Sequence, residues 1–68
     1  MNSRTGKRFH RVKEVLQEQG KSQRWLHLKT GIPTPSIHGY VHNTIEPSLS
    51  SLHHIAKALK VKLKDLIK

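Results

Sequence analysis

Apolar residues recur along this chain three and four apart and never alternate as a half-buried strand requires, so the pattern predicts helices throughout. Phe9, Val12, Val15 and Leu16 form the apolar face of a first helix from about Gly6 to Gln19, and Gly20 supplies a left-handed stop. Ser22 is a good N-cap for a second helix, which Gly31 ends. Trp25, Leu26 and Leu28 cannot all lie on one face of it, because residues two apart point about 200° away from each other. Leu26 is the core candidate, and Trp25 is expected partly exposed, against the first helix or another subunit. Ile32 precedes Pro33 and is pushed toward an extended conformation. Thr34 then caps a third helix with Pro35 in its first turn, and Ile37 and Tyr40 point inward together. Gly39 weakens that helix by about 1 kcal/mol relative to alanine, so it depends on tertiary packing. Asn43 suits a left-handed residue at the start of a connection to Pro47. Ser48 caps a fourth helix with the stripe Leu49, Leu52, Ile55, Ala56 and Leu59, and Lys60 breaks the pattern. Val61, Leu63, Leu66 and Ile67 support a short last helix from about Lys62 to Ile67. The expected architecture is all-α, a compact bundle of five short helices.

Charge changes this picture most. The chain of 68 residues carries 13 Lys and Arg against four Asp and Glu, a formal net charge of +9. A surplus that large on a domain this small points to a polyanionic partner, nucleic acid or an anionic membrane, although a basic solvated surface has the same composition. The charge is also unevenly placed. Residues 1–30 hold eight basic and two acidic groups and residues 53–68 five and one, whereas residues 31–52 hold no Lys or Arg and one Glu. Basic flanks around a neutral polar centre suit a surface that grips phosphates at its edges and reads something less charged between them. Apolar runs are too short to span a membrane or form a signal-peptide core, and the lack of cysteine removes disulfides and thiolate metal sites. Both features agree with a cytoplasmic location. Residues 1–5 read as a flexible basic arm ahead of a domain over 6–68. That arm either reaches DNA through Arg4, with Lys7 and Arg8 behind it, or is simply a frayed end.

The spacing of Gln23, His27, Gly31, Ile37 and Tyr40 resembles a helix-turn-helix DNA-binding motif. The downstream Glu46-Pro47-Ser48-Leu49 and the run Leu52, Ile55, Ala56, Ala58, Leu59, Val61, Leu63, Leu66 resemble the fourth and fifth helices of the lambda-repressor-like, or Xre, family. The resemblance covers about residues 6–67. It implies a transcriptional regulator of bacterial or phage type that lays its third helix in the major groove of double-stranded DNA, as a homodimer across two half-sites. Carried onto this chain, the base-contacting positions are Thr34, Pro35, Ser36, His38 and Gly39. The phosphate-contacting positions are Gln23, Arg24, Lys21, His42 and Asn43, with Gln23 helped by the dipole and free N–H groups at a helix start. The resemblance also suggests Leu63, Leu66 and Ile67 as dimer surface, although the same residues can close the monomer core.

The chain departs from the family at four places. His27 stands where a small residue is usual at the helix crossing, so it widens the crossing or turns outward. Lys60 replaces a usual glycine, at a cost of about 1 kcal/mol if its backbone is left-handed. Pro35 and Gly39 replace longer polar side chains, leaving direct readout to Thr34, Ser36 and His38, with methyl contacts to thymine from Thr34 or Pro35. Weak base discrimination or a larger share of shape readout follows. His38 and His42 are four apart and share a helix face, but no acidic residue or third histidine near them completes a metal site, so no metal and no cofactor is expected. No nucleophile with an oriented base is apparent, so no enzyme activity is expected. A rival reading gives the same fold a protein partner, as an antitoxin or adaptor, with little DNA binding. RNA binding is disfavoured because Phe9, Trp25 and Tyr40 are the only aromatics of the Phe, Tyr and Trp type and two of them read as core.

Overall fold

The computed structural model of the protein describes residues 10–67. The expected arm over 1–5, the helix start at Gly6 and the apolar Phe9 lie outside the described residues. Four α-helices follow in order, α1 Val12–Gln19, α2 Gln23–Thr30, α3 Thr34–His42 and α4 Leu49–Leu59, and a 3-10 turn at Leu63–Leu66 closes the chain. Each junction is set by local chemistry. Gly20 sits at φ 68°, and the next residue's N–H, on Lys21, returns to the Leu16 carbonyl at 2.9 Å. Ser22 Oγ accepts the Trp25 N–H at 2.9 Å, and Ser48 Oγ accepts the Ser51 N–H at 3.0 Å, so both serines act as the expected N-caps. Gly31 ends α2 at φ 79° with nothing within 4 Å of where a Cβ would stand. Backbone conformation, rather than crowding between helices, is therefore what asks for glycine there. Asn43 and Lys60 take the left-handed position after α3 and α4, at φ 62° and 58°.

The core is one cluster drawn from every element: Val12, Val15 and Leu16 of α1, Leu26 of α2, Ile37, Tyr40 and Val41 of α3, Leu52, Ile55, Ala56 and Leu59 of α4, and Leu66. α2 packs on α3 and α4, α1 packs on the same two helices, and the 3-10 turn packs on α4. This arrangement fixes α3 by its inner face. Ile37 is fully buried, and the Tyr40 hydroxyl reaches Ser51 Oγ at 3.3 Å, tying α3 to the capped start of α4.

Four expectations change. The first helix starts at Val12, because His10 pairs as an antiparallel bridge with Ile67 and the Arg11 N–H donates to the Leu66 carbonyl at 2.7 Å. Those backbone groups are spent on the chain's other end and are lost to a helix. The last helix is a 3-10 turn, held at its start by the Lys62 N–H on Asp65 Oδ2 at 3.0 Å; its three-residue period puts Leu63 and Leu66 on one side, toward the core. Pro33, not Thr34, occupies the cap position of α3, its carbonyl accepting from the Ser36 and Ile37 N–H groups, so Thr34 joins the helix. Leu49, placed in the apolar stripe of α4, is 65% exposed, since the first residue of the helix lies beyond the edge of the core.

Candidate nucleic-acid interface

The burial pattern of α3 separates two faces. Ile37, Gly39, Tyr40 and Val41 are buried, whereas Thr34, Pro35, His38 and His42 are exposed and Ser36 is half-buried at the margin. Thr34, His38 and His42 follow one another at four-residue spacing, so they form a single ridge along the helix. The imidazoles of His38 and His42 lie with centroids 4.1 Å apart and planes tilted by 44°. This ridge is polar and free of Lys and Arg, and α3 enters it directly from the turn at Gly31.

His27 neither crowds the helix crossing nor swings into solvent. Half-buried, it donates from Nδ1 to the Ile32 carbonyl at 2.7 Å, which requires the proton on that nitrogen because a carbonyl can only accept. Thr30 assists from the other side. Its Oγ1 donates to the Leu26 carbonyl at 2.7 Å and accepts the Ile32 N–H at 3.1 Å. The turn between α2 and α3 is therefore held by side chains as well as by backbone, which fixes the angle at which the ridge is presented.

Beside the ridge lies a hollow lined by Lys13, Leu16, Gln17, Lys21, Ser22, Gln23 and Val41. It joins the outer side of α1, the capped start of α2 and the end of α3. The N-terminus of α2 offers unbonded backbone N–H groups and the positive end of its dipole, and Lys13 and Lys21 are in the lining, the Lys21 ammonium resting 4.7 Å from the centroid of the Trp25 ring, so the hollow suits a phosphate. Of the expected phosphate positions, Lys21 and Gln23 line the hollow with Val41, exposed Arg24 follows Gln23, and His42 and Asn43 follow Val41 outside the lining. Lys13 and Gln17 are additions. They sit four apart on α1, in the helix before the motif, and the packing of α1 on α3 carries them here.

Gly39 does not belong with the readout residues. It is buried, and a Cβ on it would stand 2.5 Å from the Ile45 side chain, so Ile45 covers it where a base edge was expected. Its function is to let the loop after α3 fold back, with the Thr44 N–H on the Gly39 carbonyl at 2.9 Å. The expected dimer residues are also largely consumed. Leu66 is fully buried and Leu63 packs on the core, leaving Ile67, 39% exposed, at the surface. Trp25 is half-buried and shares a cleft with Gln19 of α1 and with Ala58 and Leu59 of α4. Among the described residues, no group of three metal-binding side chains forms, and no helix is long and apolar enough to cross a membrane.

Comparison with known proteins agrees with this geometry. The family described as the Cro/C1-type helix-turn-helix DNA-binding domain matches residues 11–68. A crystal structure of a "putative DNA-binding protein" from Bacteroides fragilis superposes with a TM-score of 0.82 at 33% identity, covering 88% of this chain and 97% of that one. No curated protein sequence matches the chain. With a helix-turn-helix whose second helix is open to solvent, a cationic hollow at the start of the first, and a family match over nearly the whole length, the chain belongs to the Cro/C1-type helix-turn-helix DNA-binding domains.

Proposed function

We propose that the protein is a sequence-dependent transcriptional regulator of bacterial or phage type that acts in the cytoplasm by binding duplex DNA and carries out no catalysis. The observation that supports this reading is the pairing of a neutral, exposed ridge on α3 with a cationic hollow at the start of α2. Phosphates are gripped by Lys13, Lys21, Gln23 and Arg24, with His42 and Asn43 at the far end of α3. Base edges are read by Thr34, Ser36 and His38, and Pro35 gives an apolar contact to a thymine methyl. With Gly39 covered and no arginine on the ridge, few direct hydrogen bonds to bases are available, and the deformability of the site carries part of the selectivity. Two copies bind half-sites about one helical turn apart.

Binding of Gln23→Ala, Arg24→Ala and His38→Ala to a panel of duplexes tests the assignment. The first two are expected to weaken every duplex alike, and His38→Ala to change the ranking among duplexes. If the ranking survives His38→Ala unchanged, the readout assignment is wrong. Stoichiometry on a long duplex, measured by sedimentation, tests the pairing of copies.

A further inference from the structure

A second cationic site lies away from α3. Gln19, Lys21, Trp25, Lys29, Ala58, Leu59 and Lys60 line an open cleft between α2 and the end of α4, and no residue of α3 takes part. Its lining mixes polar side chains with the apolar groups of Trp25, Ala58 and Leu59, and Gln19 Nε2, at the end of α1, donates to the Leu59 carbonyl at 3.0 Å, tying α1 to α4 along one side. Its rim is cationic. Lys21 Nζ stands 4.7 Å from the centroid of the Trp25 ring and Lys29 Nζ 5.9 Å. Lys60 completes the rim, and no Asp or Glu lines the cleft to offset the three ammonium groups. Lys60 also holds a left-handed backbone at φ 58°, where glycine would be less strained, so the chain keeps a charged side chain at the rim against its backbone preference.

We propose that this cleft docks an acidic, leucine-bearing segment of a second protein while α3 remains open to DNA. Apolar groups set among charged ones are common in protein interfaces, and a half-buried tryptophan is a common anchor in one. The uncompensated lysines select carboxylates. Single-stranded nucleic acid is the less suitable occupant, because base stacking needs an open ring face and Lys21 already lies over the indole.

Trp25 is the only tryptophan in the chain, so its fluorescence reports this cleft directly. The protein is titrated with a short alternating Glu/Leu peptide, with a Gln/Leu peptide as control, alone and with random-sequence duplex DNA present. A saturable change in Trp25 emission is expected with the acidic peptide only, and it is expected to persist with duplex bound, weakened severalfold at most, because Lys21 alone of the cleft also lines the hollow at the start of α2. Lys29→Ala combined with Lys60→Gly should weaken the peptide about tenfold, whereas Lys57→Ala with Lys64→Ala, which removes the same charge outside the cleft, should change it little. Lys60→Gly relieves a left-handed lysine, so loss of binding in that variant is not loss of fold, and a melting curve checks this. Equal weakening by both double variants, an unresponsive Trp25, or complete displacement of the peptide by duplex would each overturn the proposal.

Discussion

At Gly39 two residue-level effects oppose each other. Alanine would raise helix propensity by up to about 1 kcal/mol, but its Cβ would stand 2.5 Å from Ile45 Cδ1 and 2.8 Å from Ile45 Cβ. The second atom is anchored to the backbone, so rotation of the side chain does not remove the clash. Overpacking of this kind costs about 1–3 kcal/mol, and Gly39→Ala is expected to lower the melting temperature despite its better propensity. Adding Ile45→Ala should recover part of the loss, as thermal melts of the single and double variants will show. Lys60 is the opposite case. Its φ of 58° costs about 1 kcal/mol relative to glycine, so Lys60→Gly should raise the midpoint by about 4–8 °C. The strain at Lys60 was legible through the resemblance to the lambda-repressor-like family, in which a glycine is usual at that position. The crowding at Gly39 was not, because Ile45 meets it only after the chain reverses at Asn43.

At the scale of the element, α2 and α4 begin alike but serve different ends. Each is capped by a serine whose Oγ accepts an N–H three residues on. Removing either cap costs about 1 kcal/mol, and Ser22→Ala and Ser48→Ala should lower thermal stability by similar amounts. Their effects on DNA binding should differ. Ser22 lines the hollow proposed to hold a phosphate, so Ser22→Ala is expected to weaken binding beyond the loss of folded protein, whereas Ser48→Ala is not once the folded fraction is corrected for. Titration of a duplex at a temperature where both variants are fully folded distinguishes them. α3 depends least on its own sequence. Its start at Pro33 has no side-chain cap, and it is held by Ile37 in the core and by Tyr40 on Ser51.

Over the whole molecule, the two ends of the described chain are tied together. His10 pairs with Ile67, Arg11 bonds Leu66 through the backbone, and the fully buried Leu66 side chain caps the core beneath them. A domain of this size has little stability to spare, and Leu66→Ala, at about 2–5 kcal/mol, is expected to leave it largely unfolded by circular dichroism at room temperature. The net charge of +9 acts at the same scale. DNA affinity should fall steeply with salt as counterions are released, and loss of Lys13, Lys21 or Arg24 should each shallow the log–log slope by about one.

By itself, the sequence determined what depends on neighbours along the chain. Helix periodicity, the serine caps, the stops at Gly20 and Gly31, the turn residue Asn43, and the spacing from Gln23 to Tyr40 are all local, and together they were enough to indicate the fold. Tertiary structure alone decided what depends on residues far apart. It brought Lys13 to Gln23, laid Ile45 over Gly39, joined His10 to Ile67, and set Trp25 in one cleft with Lys21, Lys29 and Lys60. A periodic pattern states which side of a helix is buried. The partner that side meets, and whether a neighbouring hollow is left for a phosphate or a carboxylate, is set only when the helices cross.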